Sequence, residues 1–293
     1  MIRCSLNKIK RLVLQSGIFY ILALFIALGL KYHYSRAGSE DLAWVLGPTA
    51  CLVEHISGIQ FESEENAGFV SREYRIIIAP SCAGINFLII VFCMAMFSGI
   101  HVIRHSGSKL LWLATSLVCA YILTVAVNAL RIIASIYSYN ADIHFGWLTP
   151  ASVHRLVGIV IYFFFLCLFY MIIIKIVHRI RQGAGGKNIT AARYVGGQTD
   201  YFRWACTCLI PLFWYGLITL GVPLFTGAFQ EDVSRFKEHS WTVICASLTI
   251  LAIIFLIQLV GRRIARILVM YYFATKTPKH KHRFSGSRFR VPG

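Results

Sequence analysis

Three side chains with chemistry suited to acyl transfer lie in three different apolar segments of this sequence: Cys82, Arg131 and His154. A thiolate attacks carbonyl carbon, a histidine accepts the thiol proton, and an arginine stabilises the negative charge that develops on the carbonyl oxygen. A Cys–His pair with a third supporting group generalises the logic of the catalytic triad. The residue types therefore favour nucleophilic catalysis, if the fold brings the three side chains together.

The local sequence around Cys82 predicts a reactive thiol at the start of a helix. Pro80 ends an extended segment, and Ser81 is predicted to cap the helix that follows. Cys82 would then lie in the first turn, where free N–H groups and the helix dipole favour the thiolate. Two alternatives stay open: a packed free cysteine, and a disulfide between Cys51 and Cys82 in an oxidising compartment.

Arg131 lies late in the third apolar segment, with apolar residues on both sides. An arginine in this setting is costly in lipid, so we expect it to face protein or a water-filled cavity. At 1.5 Å per residue it lies about 33 Å along the helix from Lys109, near the far membrane surface. Asn128 lies one turn earlier on the same helix face. The alternative is a snorkelling anchor or a structural hydrogen-bonding arginine.

His154 is predicted in the first turn of the fourth apolar helix, after a cap at Ser152. Gly158 lies one turn further on, which gives a His-x-x-x-Gly pattern. Helix N-termini disfavour imidazolium, so a neutral histidine that can accept a proton is expected here. A histidine at this position is also typical of a plain interfacial residue, and that alternative stays open.

The elements that must position these side chains are membrane helices. Of the 293 residues, 57% are hydrophobic and 14% are charged, with a mean hydropathy of +0.67. Such a composition excludes a disordered chain and disfavours a soluble globular enzyme. Six stretches reach the roughly 20 apolar residues that a spanning helix needs. They are residues 12–30, 84–103, 110–137, 157–177, 205–225 and 242–261.

The distribution of charge predicts the orientation of these helices. The formal net charge is +17, with 29 Lys and Arg against 12 Asp and Glu. Six spans place 21 of the basic residues on one side, together with a single acid, Asp200. The positive-inside rule assigns this side, and both termini, to the cytoplasm. The basic excess is therefore interpreted as a topology signal and not as a nucleic-acid-binding surface.

The predicted fold class is all-α: a polytopic transmembrane helical bundle with about six spans, plus two smaller elements outside the membrane. Residues 42–56 are apolar but short and are interrupted by Gly-Pro, which predicts a short re-entrant or interfacial periplasmic helix. Two β-prone runs around the turn-forming residues 65–68 predict a small β-hairpin. The first span follows a basic stretch without a convincing cleavage site, so it is predicted to be an uncleaved anchor.

Three motifs in this order and topology resemble the exosortase/archaeosortase family of polytopic cysteine proteases and transpeptidases. They are Ser81 to Gly84 at the start of the second span, Asn128 to Arg131 late in the third, and His154 to Gly158 opening the fourth. The resemblance covers roughly residues 12–178. The stretch 36–50 resembles the exosortase K subtype.

The resemblance implies a catalytic site of Cys82, Arg131 and His154. The sequence contains no evident metal or nucleotide motif, so we expect no cofactor or metal. Five further residues would support the site: Ser81, Gly84, Asn86, Asn128 and Gly158. The resemblance implies substrates that are secreted proteins with a C-terminal sorting signal, made of a short motif (often Pro-Glu-Pro-like), a transmembrane helix and a basic end. Cleavage near the motif would proceed through a Cys thioester, at the periplasmic face of a bacterial inner membrane.

A Gly-rich stretch over residues 183–197 divides the four spans that the resemblance covers from the last two. Residues 1–182 are predicted as an exosortase-like, four-span catalytic membrane domain, 183–204 as a cytoplasmic Gly-rich linker, 205–261 as a two-span C-terminal extension and 262–293 as a basic cytoplasmic tail. Two other functions stay open: a membrane acyltransferase that uses the same cysteine, and a non-enzymatic transporter or scaffold in which Arg131 lines a polar path.

Overall fold

A bundle of long helices accounts for most of the structure. The computed structural model describes residues 2–140, 149–183, 209–230 and 232–276. Within these ranges, six helices are long and apolar enough to cross a membrane. The predicted all-α, polytopic transmembrane bundle is therefore confirmed. The six helices are α1 (Ile2–Arg36), α3 (Ile85–Gly99), α4 (Ser106–Asn140), α5 (Pro150–Gly183), α6 (Leu209–Thr226) and α7 (Val233–Lys276).

Helix α3 is the centre of the bundle. It packs against α1, α4 and α5, and every side chain from Phe87 to Met96 is buried. A helix that is apolar on all sides must be covered on all sides, and here other helices provide that cover. The helices around α3 carry large exposed apolar side chains, such as Phe25, Leu111 and Ile122. Exposed apolar rows of this kind are what a lipid environment requires.

The predicted short helix over 42–56 is confirmed as α2 (Ala43–Ser57). It packs against α4, where the Tyr121 hydroxyl donates a 2.8 Å hydrogen bond to the Trp44 carbonyl and the two rings stack at 5.8 Å. The Glu54 carboxylate accepts a 2.7 Å hydrogen bond from the backbone N–H of Phe61. These contacts fix α2 on the bundle and orient the chain as it enters the β-sheet.

The predicted β-hairpin is present, and the structure adds a third strand. Strands β1 (Glu62–Glu64) and β2 (Gly68–Ser71) pair antiparallel around Asn66, which has a positive φ of 62°. Strand β3 (Ile76–Ile78) pairs with the other edge of β2, with Phe69 opposite Ile78. The third strand leads directly to the segment that carries Cys82.

The structure differs from the sequence interpretation at Lys109. The third predicted span begins at residue 110, but Lys109 already lies inside α4, is only 3% exposed, and donates a 2.9 Å hydrogen bond to the Ser16 hydroxyl of α1. A buried ammonium needs such partners, so this residue joins two helices.

The chain divides into two compact units, Met1–Ile250 and Leu251–Gly293. The first unit contains all the helix contacts described above, and the described part of the second is the last portion of α7. Most of the predicted linker, residues 184–204, lies outside the described residues, as do the first residues of the fifth predicted span and the tail from 277. The predicted domain boundaries stay predictions.

Candidate active site

Cys82 ends a tight turn that precedes α3. Residues Pro80–Cys82 form one turn of 3-10 helix, closed by hydrogen bonds from the N–H of Cys82 to the Ala79 carbonyl (2.8 Å) and from the N–H of Ala83 to the Pro80 carbonyl (3.0 Å). The prediction that Ser81 caps a helix with Cys82 in its first turn is therefore wrong. The predicted effect of the helix dipole on the thiol loses its geometric basis.

The break between this turn and α3 is made by Gly84. Its φ of +72° lies in the left-handed region, which glycine adopts without the steric cost of a Cβ. The position is also crowded, because a Cβ there would lie 3.0 Å from the Tyr162 hydroxyl and 3.3 Å from the Thr124 methyl group. Gly84 thus ends the turn of Cys82 and allows α4 and α5 to approach it closely.

A chain of three hydrogen bonds connects the turn of Cys82 to Arg131. The Asn128 side-chain amide donates to the Cys82 carbonyl. The Tyr162 hydroxyl donates to the Asn128 amide oxygen at 2.8 Å and accepts from the Arg131 guanidinium at 3.2 Å. Asn128 is fully buried, so each of its bonds is made away from competing solvent. The backbone of the candidate nucleophile and the candidate cation are therefore held by one network.

The sequence analysis missed Tyr162, although the sequence contains a signal for it. His154, Gly158 and Tyr162 follow one another at intervals of four residues along α5. Residues four apart share a helix face, so the face that carries the predicted histidine also carries this tyrosine. Its ring stacks on Phe87 of α3 with centroids 4.9 Å apart. This contact fixes the hydroxyl over the turn of Cys82.

Arg131 faces protein, as predicted, and sits against a glycine. Its guanidinium lies over the Tyr162 ring at 5.2 Å. A Cβ at Gly158 would come within 2.7 Å of the arginine Nε, so the glycine allows the arginine side chain to lie in its observed position. The Nε is buried without a hydrogen-bond partner, and no carboxylate among the described residues pairs with the guanidinium. Part of its hydrogen-bonding capacity is therefore unused.

His154 lies near Arg131 but not in direct contact with Cys82. It is an exposed residue in the second turn of α5, which begins at Pro150. Thr149, and not Ser152, provides the cap: its hydroxyl accepts from the Ser152 N–H at 3.3 Å. The predicted Ser152 cap is therefore wrong by one helical turn.

Of the three predicted catalytic residues, Arg131 is the one that interacts with both of the others. It interacts electrostatically with Cys82 and with His154. No hydrogen bond joins Cys82 and His154, both of which the structure describes. The two cysteines of the disulfide alternative are both free, with Cys82 half-buried and Cys51 exposed.

A cavity of about 210 Å³ opens beside this network. Five of the predicted residues line it: Ser81, Gly84, Asn86, Arg131 and Gly158. Asn86 is held from α1, because the Lys31 ammonium donates a 2.8 Å hydrogen bond to its side-chain oxygen. Asn128, Cys82 and His154 are not among the lining residues. The cavity is therefore bounded by the candidate cation and by the turn that carries the candidate nucleophile.

A comparison with protein families agrees with the motifs. The sequence profile described as transmembrane exosortase (Exosortase_EpsH) matches residues 10–171, which is more than half of the chain. The match includes Cys82, Arg131 and His154, and ends before α6. No curated protein and no solved structure matches the chain significantly. The exosortase K subtype stays a prediction.

Proposed function

The chain belongs to the transmembrane exosortase family, and from this premise we propose that it is a cysteine peptidase or transpeptidase of secreted, membrane-tethered proteins. Its substrates would carry a C-terminal sorting signal made of a short motif, an apolar helix and a basic end. One observation supports the assignment to Cys82 above all others: the network through Asn128 and Tyr162 that ties its turn to Arg131.

The proposed reaction begins when His154 takes the thiol proton and the Cys82 sulfur attacks the scissile carbonyl carbon. The carbonyl oxygen gains negative charge, which the Arg131 guanidinium stabilises. Collapse of this intermediate breaks the C–N bond, and His154 returns the proton to the leaving amine. The remaining thioester reacts with water or with an acceptor amine, and the thiol is regenerated.

No hydrogen bond joins His154 and Cys82 in the structure, so the proposed proton transfer requires the two side chains to come closer together. Catalytic hydrogen bonds are often long before substrate binds and shorten in the complex. His154 is exposed near the start of α5, and the Arg131 side chain is already within electrostatic reach of it. A substrate bound beside Arg131 would bring the histidine and the thiol to the same carbonyl group.

The proposed location of the site is the periplasmic face of a bacterial inner membrane, with both termini in the cytoplasm. This orientation follows from the 21 basic residues that six spans place on one side. Residues 1–182 would form the catalytic domain, and no cofactor or metal takes part in the proposed steps. Water has access to such a site, as hydrolysis requires.

The test is a reporter that consists of a secreted domain, a Pro-Glu-Pro motif, an apolar helix and a basic end. Cys82→Ser and Cys82→Ala should abolish its cleavage at unchanged membrane levels of the protein. Cys51→Ser is the matched control, because Cys51 is also a free cysteine but lies on α2. Normal cleavage in both Cys82 variants would refute the catalytic assignment.

The same variants separate the two rival functions. An acyltransferase would carry a labelled fatty acyl thioester on Cys82 after incubation with labelled lipid, and a peptidase would carry the N-terminal part of the reporter. If the protein is a transporter or scaffold, its activity should be lost when Arg131 is replaced and should be retained when Cys82 is replaced.

A further inference from the structure

Part of the cavity wall comes from two helices that follow the family motifs in the chain. Tyr215 and Thr219 of α6 and His239 of α7 line the same cavity as Arg131. All three residues follow residue 171, where the family match ends. The cavity is thus built jointly by the family region and by two helices outside it.

The contribution of α6 depends on an irregular turn. Residues Leu217–Gly221 are π-helical, and the N–H of Val222 reaches back five residues to the Leu217 carbonyl. Pro223 has no N–H to offer the preceding turn, which favours such a widening. Insertions of this kind in α-helices occur frequently at functional sites. Here the widened turn carries Thr219 to the cavity.

Tyr215, which precedes the widened turn, is fixed by its neighbours. It is 4% exposed, and its ring packs on Phe163 of α5 with centroids 5.6 Å apart. The Thr219 hydroxyl donates a 2.5 Å hydrogen bond to the Tyr215 carbonyl, which joins the two lining residues. The residue before Tyr215, Trp214, packs on Phe97 of α3 with ring centroids 5.1 Å apart. The α6 wall is therefore packed against the bundle over two faces.

An ion pair joins α7 to the start of α5 beside the cavity. Arg155, the neighbour of His154, donates a 2.8 Å hydrogen bond to the Glu238 carboxylate. An ion pair between partly exposed side chains contributes only about 0–1 kcal/mol, so the pair marks a contact between the two helices and does not by itself fix it. His239, the residue after Glu238, lines the cavity together with Arg155.

We propose that α6 and α7 form a wall of the substrate site and limit the size of the substrate side chain beside the scissile bond. The inference rests on the proposed function for the identity of the substrate. A cavity of about 210 Å³ is small for a binding pocket, so each lining side chain changes what fits. Thr219 and Tyr215 would set the width of the cavity, and His239 would line it from α7.

The first experiment changes the width of the cavity. Thr219→Trp is compared with Leu224→Trp, which lies on the same helix at a 52% exposed position away from the cavity. Two reporters are used that differ only in Gly or Phe beside the Pro-Glu-Pro motif. We expect Thr219→Trp to lower the ratio of Phe to Gly reporter cleavage at least about 10-fold, as steric exclusion from a small pocket does. Leu224→Trp should leave the ratio unchanged, and an equal ratio in the two variants would overturn the proposal.

The second experiment detects contact without relying on turnover. A photoreactive benzophenone side chain is placed at position 219 or 224 of the full-length Cys82→Ala protein, together with the same reporters. Cross-linking at 219 and not at 224 supports the wall, and absent or equal cross-linking at the two positions overturns it. If Cys82→Ala still cleaves the reporter, the proposed function is wrong. The cross-linking result still tests separately whether the reporter contacts position 219.

Discussion

Replacing Gly158 with alanine should disturb Arg131 while leaving the fold intact. The added Cβ would lie 2.7 Å from the arginine Nε, whereas ordinary contact begins at 3.4 Å, so the guanidinium must move by about 0.7 Å. The obstructing atom belongs to a flexible side chain and not to the backbone. The chain can therefore relieve the clash by moving Arg131, and the hydrogen bond of the guanidinium to Tyr162 is lost or lengthened.

The expected stability change is small because two effects oppose each other. Alanine in a helix interior is favoured over glycine by roughly 0.5–1 kcal/mol. Overpacking costs about 1–3 kcal/mol, and a movable neighbour places Gly158→Ala near the lower end. The expected effect on activity is large, since displacing a group that acts on the reacting atoms by about 1 Å costs on the order of 100-fold in rate.

The assay measures reporter cleavage against the amount of folded protein in the membrane. The matched control is Gly29→Ala, because Gly29 also lies inside a spanning helix but has nothing within 4 Å of its virtual Cβ. We expect cleavage by Gly158→Ala to fall roughly 10- to 100-fold and cleavage by Gly29→Ala to stay unchanged. Wild-type activity of Gly158→Ala at normal protein levels would refute the role given to the guanidinium position.

Three further substitutions test the network around the cavity. Tyr162→Phe leaves the buried Asn128 oxygen and one Arg131 N–H without a hydrogen-bond partner. Because an unsatisfied buried polar group costs about 1–3 kcal/mol, we expect about 10-fold slower cleavage and a lower melting temperature in detergent. Unchanged values of both would show that Tyr162 only fills space. Gly84→Ala combines a left-handed φ with a Cβ 3.0 Å from the Tyr162 hydroxyl. It should therefore impair cleavage more than Gly58→Ala, because Gly58 has a similar φ but nothing within 4 Å of its added Cβ. Equal effects of the two substitutions would assign the loss of cleavage to backbone strain alone. Arg131→Lys should reduce cleavage at least about 10-fold, because an ammonium lacks the planar fork of the guanidinium; full activity would make Arg131 a structural residue.

The membrane bundle was predictable from sequence because its signal is local. A run of about 20 apolar residues identifies a spanning helix without any knowledge of its neighbours. The same holds for α2, whose apolar residues and Gly-Pro break are read directly from 42–56. The alternating direction of the predicted spans puts Cys82, Arg131 and His154 at the same side of the membrane. In the structure, Arg131 interacts electrostatically with each of the other two.

The parts of the site that depend on distant partners could not be predicted. Ser81 has the side chain of a good cap, but the left-handed Gly84 moves the start of α3 to Ile85 and leaves Ser81 in a separate turn. Tyr162 acts through Asn128, which is 34 residues away. Strand β3 is three residues long, and its pairing with β2 has no distinct sequence pattern.

The long sequence separations within the network bear on how the protein is made. Its hydrogen bonds join residues that are 46, 34 and 31 positions apart, and the Lys31–Asn86 bond spans 55. Membrane helices are inserted first and pack against one another afterwards. The turn of Cys82 is therefore synthesised well before the α5 residue that completes its support. A nascent chain holds an unassembled site, and the proposed peptidase becomes competent only after its fourth span is in the membrane.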